Sequence, residues 1–250
     1  MIKEAAARLS TEDKNNINRI FPEIMVDILG KNNRKERYID TFTTDLFSGG
    51  KIVVYVYIID DERIEGALAY FDTNDENDGF IVLQRQNIRN HIYGMGYSVG
   101  EATTFLKSVF THELIHAKDF IIRDEYDEGP YIDPNVEGSY VKIKDEVVAF
   151  TSQLYEVLND IVNEAVTRRD PRQVDEVVNF LKEIIGFYSR LKPLSDRSAR
   201  LLDDIGSKKT LEFIQIYIGQ VRRYNEKGYR ALLKNVYDMV TKFKERLESI

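Results

Sequence analysis

A chain of 250 residues with 43% hydrophobic content can bury a sizeable core, as one large domain or two small ones. Its net charge of −7 argues against nucleic acid as a partner, because phosphate binding needs clustered positive charge; the basic runs Lys31 to Arg37 and Arg222 to Lys234 read as solvated helix faces. The absence of cysteine excludes disulfides and thiolate metal sites, so any metal ion must be held by His, Asp or Glu.

Met1 to Arg8 lacks the apolar stretch of a signal peptide, and no segment reaches the roughly 18 apolar residues of a membrane span. A soluble, cytoplasmic protein with no membrane contact is the expectation. Ile17, Ile20, Phe21, Ile24 and Ile28 then recur at helical spacing, with Thr11 or Ser10 as a cap and Gly30 as a stop. Beta-rich runs follow at Tyr38 to Phe47, Lys51 to Ile59, Ile64 to Phe71 and Gly79 to Gln86, separated by turn signals at Gly49-Gly50, Asp60-Asp61 and Asn74 to Asp78. Such short connections imply an antiparallel or mixed sheet.

Between Val99 and Arg123 the spacing predicts a helix on which Phe105, Val109, Phe120, His112 and His116 share one stripe, so both histidines face inward. Asp124 to Ile143 sustains no period and is punctuated by Gly129, Pro130, Pro134 and Gly138. Loops longer than about 12 to 15 residues are uncommon in compact domains unless they serve a site. From Lys144 onward the chain reads as helical. Val147, Phe150, Leu154, Val157 and Ile161 mark one helix, and Asp170-Pro171 caps the next, which Pro193 ends. A short helix at Leu201 to Ile205 precedes an amphipathic stretch from Leu211 to Leu247, with Gly219 or Gly228 as its candidate break.

The string His112-Glu113-Leu114-Ile115-His116 holds two of the three histidines in the chain. On a helix, residues i and i+4 lie on the same face, so the two imidazoles can share one Zn²⁺ while Glu113 sits beside its open position. Hydrolytic zinc takes three protein ligands, and a third donor is therefore needed. His91 would have to fold back across the helix start. Asp119, on the same helix, suits a supporting or capping role better than ligation. The downstream candidates are Asp124, Glu125, Asp127, Glu128, Asp133, Glu137, Asp145 and Glu146, and most of those in the loop read as solvated charge. Glu146 has Ala149 and Phe150 at i+3 and i+4, which puts its carboxylate beside the buried stripe, where a carboxylate is costly unless paired or metal-bound. Glu146 is accordingly preferred over Asp145. Its bland alternative is simple first-turn charge on a helix.

Val109 to Ala117 resembles the extended signature of the zincin metallopeptidases, in which uncharged residues surround HExxH; Lys118 departs from the apolar residue usual at its end. Asp145-Glu146-Val147-Val148-Ala149-Phe150 with Leu154 is similar to the second helix of small gluzincins, whose glutamate is the third ligand. The acidic residue usual a few positions later is absent, since Phe150 stands at i+4. The likeness covers roughly Ile52 to Tyr155. It implies a zincin-like metallopeptidase domain, set at residues 1–155, with a small mixed or antiparallel sheet ahead of the HExxH helix. The C-terminal hundred residues carry no such likeness; their helical spacing completes the expectation of an α+β chain, with a helical region over residues 156–250 packed against the first domain and closing one side of the cleft. In that fold an edge strand pairs with extended peptides, and Gly79 to Gln86 holds the corresponding position. The resemblance further implies Zn²⁺ as cofactor, His112, His116 and Glu146 as ligands, and a peptide or protein substrate.

The chemistry of a zinc metalloendopeptidase would then follow. Zinc lowers the pKa of its bound water and polarises the scissile carbonyl, while Glu113 takes the water proton and delivers it to the leaving amine. A further donor to the oxyanion is sought among Tyr126, Tyr131, Tyr140 and His91; the loop tyrosines rank ahead of His91, and Tyr140 is set beside Glu113 as the second catalytic residue. The alternative function is a non-catalytic structural or assembly protein, for example a virion component, with a metal-stabilised domain and with protein partners on the C-terminal helices. A peptidase confined to one partner protein is a third.

Overall fold

The computed structural model describes residues 9–31, 34–60, 66–74, 78–119, 144–190 and 192–249. The chain divides into two compact units, one from Leu9 to Gly129 and one whose larger part runs from Pro130 to Ile250. Among the described residues it is a mixed α+β structure, with eight helices and a four-stranded sheet. No described helix is long and apolar enough to cross a membrane.

The first unit opens with α1, Thr11–Leu29. Ser10 and Asp13 form a reciprocal capping box that satisfies the first backbone donors, and the N–H of Gly30 closes the far end on the Val26 carbonyl. Strands β1 (Glu36–Asp45), β2 (Lys51–Ile59), β3 (Ala69–Thr73) and β4 (Gly79–Gln84) follow. Their order across the sheet is β1-β2-β4-β3, with β2 and β4 parallel and the two outer pairings antiparallel.

Alternation along β2 separates the two sheet faces. Val54, Val56 and Ile58 are fully buried on the face where the later helix α3 (Val99–Asp119) packs, whereas Tyr55 and Tyr57 lie half-buried on the other side. There Tyr55 stacks on Phe80, and Tyr57 meets Tyr38 edge-on.

Gly79 to Gln86 was expected as an edge strand, but β4 is interior, and β3 is the edge strand on that side. The third strand is also shorter and later than Ile64 to Phe71, beginning at Ala69, with residues 61–65 outside the described set.

Strand β4 stops at Gln84 because Arg85 starts a helix, α2 (Arg85–Gly94), that the sequence reading did not foresee. Arg85 is fully buried, with its Nε 2.6 Å from Asp27 of α1 and its Nη1 bonded to Asp60 and to the Arg34 carbonyl. Four residues on, Arg89 donates to the carbonyls of Asp27, Ile28 and Gly30. Two arginines on one face of α2 thus neutralise a buried carboxylate and satisfy the last carbonyls of α1, which backbone bonds within that helix cannot reach.

The second unit is helical: α4 (Lys144–Arg168), α5 (Pro171–Arg190), α6 (Asp196–Asp204), α7 (Lys208–Tyr224) and α8 (Glu226–Glu248). The division expected after residue 155 falls inside α4, whose Leu154, Leu158, Val162 and Ala165 belong to the core shared with α5, α7 and α8. Asp170 caps α5, accepting from the Arg172 N–H at 3.0 Å, with Pro171 at the first helical position as expected. The break in the last stretch is at Asn225 rather than at Gly219 or Gly228. Asn225 leaves helical geometry and accepts the Gly228 N–H at 2.8 Å, serving as N-cap of α8.

Candidate metal centre

Helix α3 begins with a second reciprocal cap, in which the Ser98 N–H donates to Glu101 and the Glu101 N–H to the Ser98 hydroxyl. It packs on β2, β3 and β4, and its apolar residues Phe105, Leu106, Val109, Phe110, Leu114, Ile115 and Ala117 are buried. An amphipathic surface helix would bury one stripe; this one is enclosed nearly all round, so its polar residues are drawn inside with it. His112 retains 5% and Glu113 7% of their exposure, and His116 is half-buried.

One helical turn apart, the two imidazoles place Nε2 of His112 3.1 Å from Nε2 of His116. Two nitrogens sharing a tetrahedral ion at about 2.05 Å stand about 3.3 Å apart, so the pair could serve as two ligands of one ion with little movement, and without an ion the same spacing suits an N–H···N hydrogen bond between the rings. Glu146, in the first turn of α4, keeps 6% of its exposure. His112, His116 and Glu146 each offer a donor atom, and the three atoms lie within 4.8 Å of one another. Two neutral imidazoles and a carboxylate form a donor set suited to a divalent ion of borderline softness.

His91 lies on α2, its ring stacked on Phe105 at 4.7 Å and its Nε2 3.4 Å from the Tyr97 hydroxyl; burial pushes its pKa down. Phe105 precedes His112 by about two helical turns, and His91 is not one of the three grouped donors. Asp119 is the last residue of α3. Tyr126, Tyr131 and Tyr140, with the acids from Asp124 to Glu137, lie outside the described residues, as does the side chain of Asp145.

Sequence reasoning noted Lys118 as a departure from a pattern but missed what it does. Its Nζ is 2.7 Å from Asp13 and 2.9 Å from the Thr44 hydroxyl, all three groups being buried. Burial would raise the Asp13 pKa, but hydrogen bonds from Lys118, Thr44 and the Ser10 N–H outweigh it and hold the carboxyl below its ordinary range. A lysine in the buried last turn of a helix, where an apolar residue was expected, is the signal that pointed to a partner; the partner's position 105 residues earlier is invisible to local pattern.

Comparison of the chain with protein families, with curated proteins and with solved structures finds no match.

Proposed function

We propose that the chain is a zinc-dependent peptidase. The observation carrying this reading is the grouping of His112, His116 and Glu146, two residues of an HExxH helix and a carboxylate of the following helix, with donor atoms within 4.8 Å. A chance HExxH has no reason to bring a buried glutamate from a separate helix to its two imidazoles. The resemblance to the gluzincin signature, carried by Val109 to Ala117 and Asp145 to Phe150, supports the same assignment.

When bound, zinc supplies Lewis acidity, polarising a scissile carbonyl and acidifying water. The rest falls to the chain. His112 and His116 act as neutral imidazoles, and Glu146 contributes the negative charge that offsets the ion. Glu113 follows His112 directly on the same helix, and its nearly buried carboxylate is the acceptor for the proton of the attacking water and the donor of that proton to the leaving amine. Strand β3, paired on one side among the described strands and packed against α3, is the edge suited to an extended peptide, which would add as a further strand.

The test is cleavage of a peptide library by the purified chain. Hydrolysis that stops when a chelator removes the metal and returns on adding one equivalent of Zn²⁺ is the expected result. Stoichiometric zinc with no hydrolysis would instead favour a metal-stabilised scaffold.

A further inference from the structure

We infer that Lys118 is a positioning residue for the metal ligands: its buried contacts with Asp13 and Thr44 set the rotation and register of the last turn of α3, and thereby the placement of His112 and His116. This rests on the metal-site reading given above.

Four contacts converge at one residue. Lys118 Nζ donates to Asp13 Oδ2 at 2.7 Å and to Thr44 Oγ1 at 2.9 Å; the same hydroxyl donates to Asp13 Oδ1 at 2.6 Å. The Lys118 carbonyl accepts the Phe47 N–H at 2.8 Å, and the ammonium lies 5.5 Å from the Phe47 ring centroid. Asp13 is itself fixed by the capping box of α1. The last turn of α3 is therefore tied to α1, to β1 and to the β1–β2 hairpin through both side chain and main chain.

Cohesion alone does not call for such a pair. Lys118 keeps 3% of its exposure and Asp13 1%, and replacing a buried ion pair by apolar groups of similar volume is often neutral or stabilising. What apolar packing lacks is direction. A helix enclosed by apolar side chains has several rotations of similar energy, whereas an ammonium held between a carboxylate and a hydroxyl accepts one. At about 100° per residue, Lys118 lies about 200° around the helix from His116, so it fixes the back of the helix whose front bears the ligands. With a ring nitrogen about 6 Å from the helix axis, a rotation of ~10° moves it ~1 Å. Such a rotation leaves the two imidazoles in register with each other but shifts both against Glu146, the third member of the donor group; since metal–ligand distances hold within about 0.2 Å, a rotation that hardly alters packing is enough to break the three-donor set.

The test uses the full chain carrying Asp13→Asn with Lys118→Met, which removes both charges at nearly constant volume, and separately Thr44→Val, which removes the shared hydroxyl. Three quantities are read: thermal unfolding of the metal-free proteins, Zn²⁺ affinity by competition with a chromophoric chelator, and the visible absorption of the Co²⁺-loaded forms. The double variant is expected to unfold within a few degrees of wild type yet bind Zn²⁺ about tenfold more weakly, with an altered Co²⁺ spectrum. Thr44→Val is expected to weaken binding about threefold, below the roughly 10- to 100-fold seen for groups bonded directly to a ligand because it leaves the ion pair in place, and it decides alone if the double variant does not fold. Wild-type affinity and an unchanged Co²⁺ spectrum in the folded variants would overturn the inference while leaving the metal site standing. A wild-type chain that takes up neither Zn²⁺ nor Co²⁺ removes the site reading, and the inference with it.

Discussion

Glu113→Gln is expected to keep Zn²⁺ at wild-type stoichiometry while lowering peptide hydrolysis by about 10²- to 10⁴-fold, the range for loss of a general acid–base group. The amide has the shape of the carboxylate, so helix packing around a side chain that keeps 7% of its exposure is preserved, and neither histidine is touched. What disappears is a group able to accept a proton from water and return it to an amine. Metal analysis and turnover of a fluorogenic peptide read the two quantities separately. Equal turnover by both forms would refute the role given to Glu113, and loss of metal would show that the residue acts on the site's structure instead.

Glu146→Ala is the second change of large expected effect. Removing one of three donors should weaken Zn²⁺ binding by more than the ~100-fold that marks the upper end for residues merely supporting a ligand. His116→Ala should do the same, and the two are expected to leave the protein folded, since α4 and α3 keep their apolar faces. The competing explanation for Glu146 is a favourable charge in the first turn of a helix. That would cost about 0.3–1 kcal/mol of stability on removal and nothing in metal affinity. Zinc titration beside thermal unfolding separates the two, because each explanation predicts a change in one measurement only.

Local signals were legible where a single residue type determines the backbone. Ser10 and Gly30 bound α1, and Pro171 stands at the first position of α5, because a capping hydroxyl or a missing N–H acts within a few residues. The beta-rich run Lys51 to Ile59 marked β2, but it is apolar at nearly every position, so which face is buried, that of Ile52, Val54, Val56 and Ile58, emerged only in the fold. The HExxH spacing placed two donors on one helix face, and the apolar neighbours of Glu146 singled it out among the acids.

What stayed hidden depends on partners distant in sequence. Helix α2 carries only Ile88 and Ile92 as apolar anchors, too few for a periodic signal, and its position is set by Arg85 and Arg89 reaching α1 some 60 residues earlier. Whether β4 lies inside the sheet or at its edge is decided by where β3 returns, a matter of topology that no strand's own pattern records. Asn225 outcompeted two glycines as the break before α8 because its side chain can cap the following turn, whereas a glycine only loosens a helix. Lys118 drew attention as a misfit, and only the folded chain joins it to Asp13 and Thr44.

The most direct measurement is zinc K-edge X-ray absorption on the wild-type chain loaded with one equivalent of Zn²⁺. Coordination by two imidazoles and one carboxylate oxygen from the chain is the expected outcome, with the carboxylate contribution lost in Glu146→Ala. Uptake well below one equivalent, or a first shell containing fewer than two imidazoles, would contradict the shared site of His112, His116 and Glu146.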